Sequence, residues 1–129
     1  MMHKSLLKNI GLIVVVTLFF SASQNAWGGF QEGLDAYERK DFATALKEWK
    51  PLAEQGNAFA QNNLGFMYDN GWGVPKDYVL AYMWFNLSAT NGDKIGQKNR
   101  DIVEKRMTPS QLEKAQDLAR EWMEKHKQK

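Results

Sequence analysis

The amino-acid sequence repeats itself at a distance of 36 residues, and that repetition limits the chain to one kind of architecture. Lys40-Asp41-Phe42-x-x-Ala45 returns as Lys76-Asp77-Tyr78-x-x-Ala81. Ala53-x-x-Gly56-Asn57 returns as Ala89-x-x-Gly92-Asp93, and Asn63 falls on Asn99, each at the same offset of 36. A period of this length marks stacked supersecondary units, none of which buries its apolar face alone.

Within each unit the apolar residues follow a helical period. Phe42, Ala45, Leu46, Trp49, Leu52 and Ala53 form one stripe, and Tyr78, Ala81, Tyr82, Phe85 and Ala89 form another. Gly56 and Gly92 stand where a helix end takes a left-handed residue. Asn57 and Asp93 follow at once and can accept the free N–H groups of the next helix. Ala60, Leu64, Met67 and Tyr68 give that next helix its stripe, and Gly65 lets a neighbouring helix come close. Asp69-Asn70-Gly71-Trp72-Gly73-Val74-Pro75 breaks the helical pattern and links two antiparallel helices, with Asp77 placed to cap the second.

Beyond Gly92 a helix through Ile95, Ile102 and Val103 is expected over 94–106. Thr108-Pro109-Ser110-Gln111 then starts another, with Thr as N-cap, Pro at the first position and Gln closing a capping box. Leu112, Ala115, Ala119 and Trp122 are its inward residues. This pair suits the atypical end unit that a stack of repeats needs.

Residues 60–92 also carry a family resemblance. Ala60-x-x-x-Leu64-Gly65-x-x-Tyr68-x-x-Gly71-x-Gly73-Val74-Pro75-x-Asp77-x-x-x-Ala81-x-x-Trp84-Phe85-x-x-Ser88-Ala89-x-x-Gly92 resembles one full Sel-one-like repeat. That family is an α/α-hairpin relative of the tetratricopeptide repeats. Ser88 stands where alanine is common and Phe85 where tyrosine is common. The preceding unit, Phe30–Gly56, is closer to a tetratricopeptide hairpin, since Gly33, Ala36 and Tyr37 lead straight into Asp41-Phe42. The resemblance implies an all-α fold: a right-handed α/α solenoid of two hairpins, about 30–56 and 57–92, with a helical cap over 93–129. It also implies protein–protein interaction, often in bacterial envelopes.

The first 28 residues read as a secretory signal peptide. Lys4 and Lys8 precede the uncharged apolar run Ile10–Phe20, and small residues follow. That run falls short of the roughly 20 apolar residues a membrane-spanning helix needs. Cleavage is expected after Gly28, with Ser23 as the alternative. The domain then covers 29–129, is periplasmic or secreted, and keeps no stable membrane insertion. The chain has no cysteine, which excludes a lipoprotein anchor, a disulfide framework and cysteine-ligated metal. Without the leader the basic and acidic residues balance at 15 each, a charge that argues against nucleic acid as a partner.

No set of residues for catalysis, for a cofactor or for a metal emerges. Ser5-x-x-Lys8 imitates a nucleophile motif but lies in the leader, and the glycosylation sequon Asn86-Leu87-Ser88 lies inside a packed helix. His126 stands among lysines in what reads as a solvated tail. The candidate contact residues are instead Phe59, Asn62, Asn63 and Phe66, beside the Ala60/Leu64 stripe on a first helix, together with Trp72. Two amides and two aromatic rings suit an extended peptide, although either ring can instead pack on the adjacent unit. Trp72 is either a contact residue or a lid over its hairpin. The leading expectation is a non-enzymatic protein- or peptide-binding adaptor of the cell envelope. A peptidoglycan- or glycan-binding module, using Trp72 as a stacking platform, or an envelope enzyme is the alternative.

Export is directly checkable. The mature chain is expected to begin at Gly29 or Gln24 in a soluble fraction, as terminal sequencing reads; Met1 in a membrane pellet would contradict it.

Overall fold

The computed structural model describes residues 27–127. Among these residues there are six helices and no strand: α1 (27–38), α2 (Phe42–Glu54), α3 (Ala58–Asn70), α4 (Tyr78–Thr90), α5 (Lys94–Glu104) and α6 (Pro109–His126). The leader read over 1–28 lies outside the described residues except for Trp27 and Gly28, which are helical.

Side-chain caps define where the helices begin. The carboxylates or amides of Asp41, Asn57, Asp77 and Asp93 accept backbone N–H bonds from Thr44, Ala60, Leu80 and Ile95 at 2.9–3.2 Å. Thr108 and Gln111 form the expected reciprocal box, with bonds of 3.2 and 2.9 Å. Accepting from the Thr44 side chain and backbone holds the Asp41 carboxyl below the ordinary aspartate range. Its contribution is therefore present above the unfolded-state pKa and is lost as pH falls through the folded value. The helix ends at Gly56 and Gly92 are alike. Both glycines have positive φ, +93° and +94°. At the first, the Asn57 N–H donates to Leu52 and the Gly56 N–H to Ala53; at the second, Asp93 donates to Ser88 and Gly92 to Ala89, at 3.0–3.1 Å. This Schellman pattern satisfies the last carbonyls and turns the chain sharply into the next helix.

Packing is organised by rings laid on glycines. The indole of Trp49 on α2 occupies the space where a Cβ of Gly33 on α1 would stand, and its Nε1 donates to the Phe30 carbonyl at 3.1 Å. In the next hairpin the ring of Phe85 on α4 fills the corresponding space over Gly65 on α3. Both rings are buried, as the periodicity predicted. Helix α4 is the centre of the molecule, with seven of its thirteen residues buried. Met83, Trp84 and Leu87 join a cluster with α1, α2, α3 and α6, while Ala81, Tyr82 and Phe85 join another with Val103 and Ala115. The single stripe expected for α4 is thus an all-round apolar surface, because α3, α5 and α6 all pack on it.

The C-terminal pair departs from a closed hairpin. Helices α5 and α6 each pack extensively on α4 and far less on one another. Helix α6 approaches through Ala115 and Ala119, and Trp122 meets Trp84 edge-on at 6.1 Å. Two expectations are corrected here. Ile95 and Ile102 do not face inward; α5 meets α4 through Gly96 and Val103, and both isoleucines are exposed. A Cβ on Gly96 would lie 2.5 Å from Ser88 Oγ, so the helix docks on its smallest residue rather than its largest. His126 is no solvated tail residue either. It closes α6, stacks on Trp122 at 3.8 Å, and its Nδ1–H donates to the Trp122 carbonyl at 2.7 Å.

The buried polar groups tie successive units together. Ser88 Oγ lies 2.7 Å from the Ala58 carbonyl and 2.9 Å from Asp93 Oδ2, two acceptors for its one proton. Gln61 Nε2 donates to the Ala53 carbonyl at 3.0 Å, and its Oε1 accepts from Asn91 at 2.9 Å. Among the described residues no buried side-chain nitrogen or oxygen lacks a partner, as a native interior requires.

The ring-on-glycine contact makes a stability prediction. Gly65→Ala forces a methyl into the Phe85 ring and should destabilise by about 1–3 kcal/mol, as overpacking does. The control is Gly56→Ala, which meets no atom within 4 Å and carries only the cost of left-handed backbone, about 1–2 kcal/mol. Chemical denaturation of the two variants, with packing strain also visible in near-ultraviolet dichroism for Gly65→Ala alone, checks this.

Candidate functional site: the face of the first helices

Among the described residues, the exposed large apolar side chains are Trp27, Phe59, Phe66, Ile95 and Ile102. All five stand on α1, α3 or α5, the first helices of their units, and none on α2, α4 or α6. The three helices lie side by side. The Phe30 ring of α1 is 6.4 Å from Phe59 of α3, and Trp27 stacks on Phe30 at 6.2 Å. On the other flank α3 packs against α5, where Asn99 Nδ2 donates to Asn62 Oδ1 at 3.0 Å.

The exposed residues follow the repeat. Phe59 and Ile95 are 36 positions apart and are 63% and 59% exposed; Phe66 and Ile102 are likewise 36 apart, at 37% and 41%. On each helix the two positions are separated by two turns, which places them about 10 Å apart along the axis. The face therefore carries two apolar rows running across the helices, with a polar strip between them.

The five residues singled out by the sequence divide into four groups. Phe59 and Phe66 are exposed on the face; Phe66 is also held edge-on to Phe85, with centroids 5.6 Å apart. Asn63 sits half-buried between the rows. Asn62 is corrected: only 8% exposed, it spends its carbonyl oxygen on Asn99 and belongs to the α3–α5 junction. Helical spacing alone could not separate it from Asn63, because its burial depends on where α5 lands. Trp72 is a lid. Its ring lies parallel to Phe42 at 5.2 Å and edge-on to Tyr37 at 5.8 Å. Gly73 presses the same connection so close to α2 that a Cβ would be 2.9 Å from the Phe42 carbonyl. The connection thus clamps one unit on the one before it.

The sequence reading missed Ile95, Ile102 and Phe30. The signal for the first two was present in the offset of 36 from Phe59 and Phe66, but an isoleucine in a helix was assigned to the core.

Two ion pairs lie near this face. Arg106 Nη1 lies 3.2 Å from Asp69 Oδ1, while Arg100 pairs with Asp101 at 3.2 Å and donates to Asn86 Oδ1 at 3.1 Å. Burial, and then the charge of Asp77, raise the Tyr68 phenol above its ordinary value, so it stays protonated and neutral. Among the described residues no three His, Asp or Glu side chains converge as a metal site would need.

The Sel1 repeat profile matches residues 58–93 and 110–125. Over these two segments the chain is similar to Sel1 repeats. The first match spans α3, the Trp72 connection and α4; the second falls within α6, so Sel1 character extends into the pair read as a cap. A putative Sel1-like repeat-containing protein of Acanthamoeba polyphaga mimivirus is 42% identical over 50 residues, covering 39% of this chain and 9% of that protein. The crystal structure of a protective antigen present in uropathogenic Escherichia coli strains, displaying an SLR fold, superposes with a TM-score of 0.75 and 35% identity. That match covers 82% of this chain and 24% of the antigen chain. The chain therefore spans less than a quarter of the length of either relative, and the all-α solenoid fold is shared with the second.

The division of α3 into junction and face is open to measurement. Asn62→Ala leaves the Asn99 amide without its acceptor and should destabilise by about 1–3 kcal/mol. Phe59→Ala, at an exposed position, should change stability by no more than about 0.5 kcal/mol. Urea titration of both variants reads the difference.

Proposed function

We propose that this chain is a non-enzymatic adaptor of the bacterial cell envelope, which binds a protein or peptide on the face formed by α1, α3 and α5. The observation that carries the reading is the confinement of exposed large apolar side chains to that face, four of them in two pairs 36 residues apart. Solvent-exposed rings and isoleucines in register bring no benefit to folding, whereas clustered apolar side chains are what an interface core is made of. The acidic and polar side chains of the repeats support a structural rather than a catalytic assignment. Asp41, Asp77 and Asp93 cap helices, and Ser88 bridges two units.

The envelope assignment rests on the leader-like start of the sequence. The glycan-binding alternative loses its main support, because the flat face of Trp72 is stacked on Phe42.

A photoreactive amino acid at position 59 or 95 should cross-link a partner protein in intact cells, while the same probe at Lys47 or Glu121, both exposed on second helices, should not. In a purified complex, Phe59→Ala with Ile95→Ala should weaken binding by about thirtyfold, the effect of removing an interface anchor worth about 2 kcal/mol. Equal cross-linking from both sets of positions would refute the assignment of this face.

A further inference from the structure

The two apolar rows lie on a surface whose charge changes sign from one edge to the other. Helix α1, at one edge, carries Glu32, Asp35 and Glu38 and no basic residue between 27 and 38, with Arg39 and Lys40 in the turn beyond its end. All three acids are exposed, and Asp35 lies on the exposed side beside Gln31, whose Nε2 donates to it at 3.1 Å. Helix α3, in the middle, has Asp69 as its one charged residue, and Arg106 neutralises it. The opposite edge, residues 94–106, has five basic residues against two acids. Arg100 and Arg106 are taken by Asp101 and Asp69, whereas Lys94, Lys98 and Lys105 are exposed. Lys98 stands between Ile95 and Ile102 on the exposed side of α5.

Such a surface is its own electrostatic complement. We propose that the occupant of this face is a second copy of the chain, bound about a two-fold axis running along α3. This inference rests on the reading of the face as an interaction surface and names its partner. The rotation sets the acidic α1 edge of each copy against the basic α5 edge of the other. It also returns each apolar row onto itself: Phe59 meets Phe59 of the second copy, and Phe66 meets Phe66. At the flanks, Phe30 on α1 comes opposite the isoleucines on α5. An unrelated partner would need this same pattern by coincidence, whereas for a second copy the repeat supplies it. Closed two-fold pairing is also the commonest assembly of a single chain. Three helices about 8–10 Å apart, buried over their full lengths of about 16–20 Å, give roughly 500 Å² on each copy. That is about 1,000 Å² in total, in the range of weak, transient pairs. Concentration-dependent pairing, weakened by salt, is the expected form.

The test uses sedimentation velocity of the purified chain across micromolar concentrations at low and high salt. Wild type should shift from monomer toward dimer as concentration rises, and less so in high salt. Two charge-reversed variants follow: Glu32→Lys, Asp35→Lys and Glu38→Lys together, and Lys94→Glu, Lys98→Glu and Lys105→Glu together. All six side chains are exposed, and circular dichroism establishes that each variant is folded. Each alone opposes like charges at both edges and should remain monomeric. Mixed, they oppose unlike charges at both edges and should form a heterodimer as tight as the wild-type pair. Because the chain has no cysteine, Asp35→Cys and Lys98→Cys variants should form a mixed disulfide with each other faster than either forms with itself. The proposal is overturned by a wild-type monomer throughout, by a dimer that either reversal leaves intact, or by variants that do not complement. A monomeric wild type whose probes at 59 and 95 still cross-link a different protein would overturn self-pairing and leave the adaptor reading standing. A dimer with no such heterologous product would support self-pairing and remove the need for another partner at this face.

Discussion

The approach of an aromatic ring onto a glycine is the contact on which the other features of this fold depend. In each of the first two hairpins a second-helix ring, Trp49 or Phe85, takes the volume that a first-helix side chain would fill at Gly33 or Gly65. This sets the distance between the helices, and with it the angle at which each unit meets the next. A glycine within a helix costs about 1 kcal/mol of propensity. That cost is offset here by burying a large ring completely, which contributes more than that. With no cysteine available, nothing covalent holds the hairpins closed, so ring packing and the inter-unit hydrogen bonds carry the whole task.

The contact also sorts the surface. With Trp49 and Phe85 over Gly33 and Gly65, and Leu64 and Met67 in the core beside them, Trp27 on α1 and Phe59 and Phe66 on α3 are left exposed. The outer helices α2 and α6 turn their apolar residues inward and present polar ones to water, while α4 is covered by its neighbours. One side of the molecule is thereby polar and the other carries rings and isoleucines, an asymmetry that follows from which helix bears the glycine.

Much of this was legible in the sequence, and the reasons differ by feature. The caps at Asp41, Asn57, Asp77, Asp93 and Thr108 were readable because capping is local, decided within three residues of the chain. The turns at Gly56 and Gly92 were readable for the same reason, and Gly65 announced a close approach because a helix interior seldom tolerates glycine without a use for it. Asn62 and Ile102 were not readable in this way. Whether each is buried depends on the rotation of α5, which Gly96 and Ser88 fix from another element. His126 was misread because composition describes a lysine-rich tail as solvated, whereas Trp122 one turn earlier offers it a stacking partner. Trp72 left two readings open, and its partners Phe42 and Tyr37, more than 25 positions away in the chain, decide between them.

Ser88 occupies a position where the repeat commonly has alanine, and its hydroxyl reaches both the first turn of α3 and the cap of α5. Repeat arrays in which units touch only through apolar surfaces can lose their ends one unit at a time, since each interface is independent of the next. Here one buried group belongs to two junctions at once, and Asn91 adds bonds to Gln61 and Gly56 across the same gap. Opening the C-terminal pair would break the Ser88–Asp93 bond and leave the buried Asn62 without Asn99, so the cost of fraying is passed inward to the middle of the molecule. The consequence is cooperativity: a chain this short behaves in hydrogen exchange as one unit spanning α2 to α5, with slow exchange at the Asn57 and Asp93 amides, rather than as a series of independently melting hairpins.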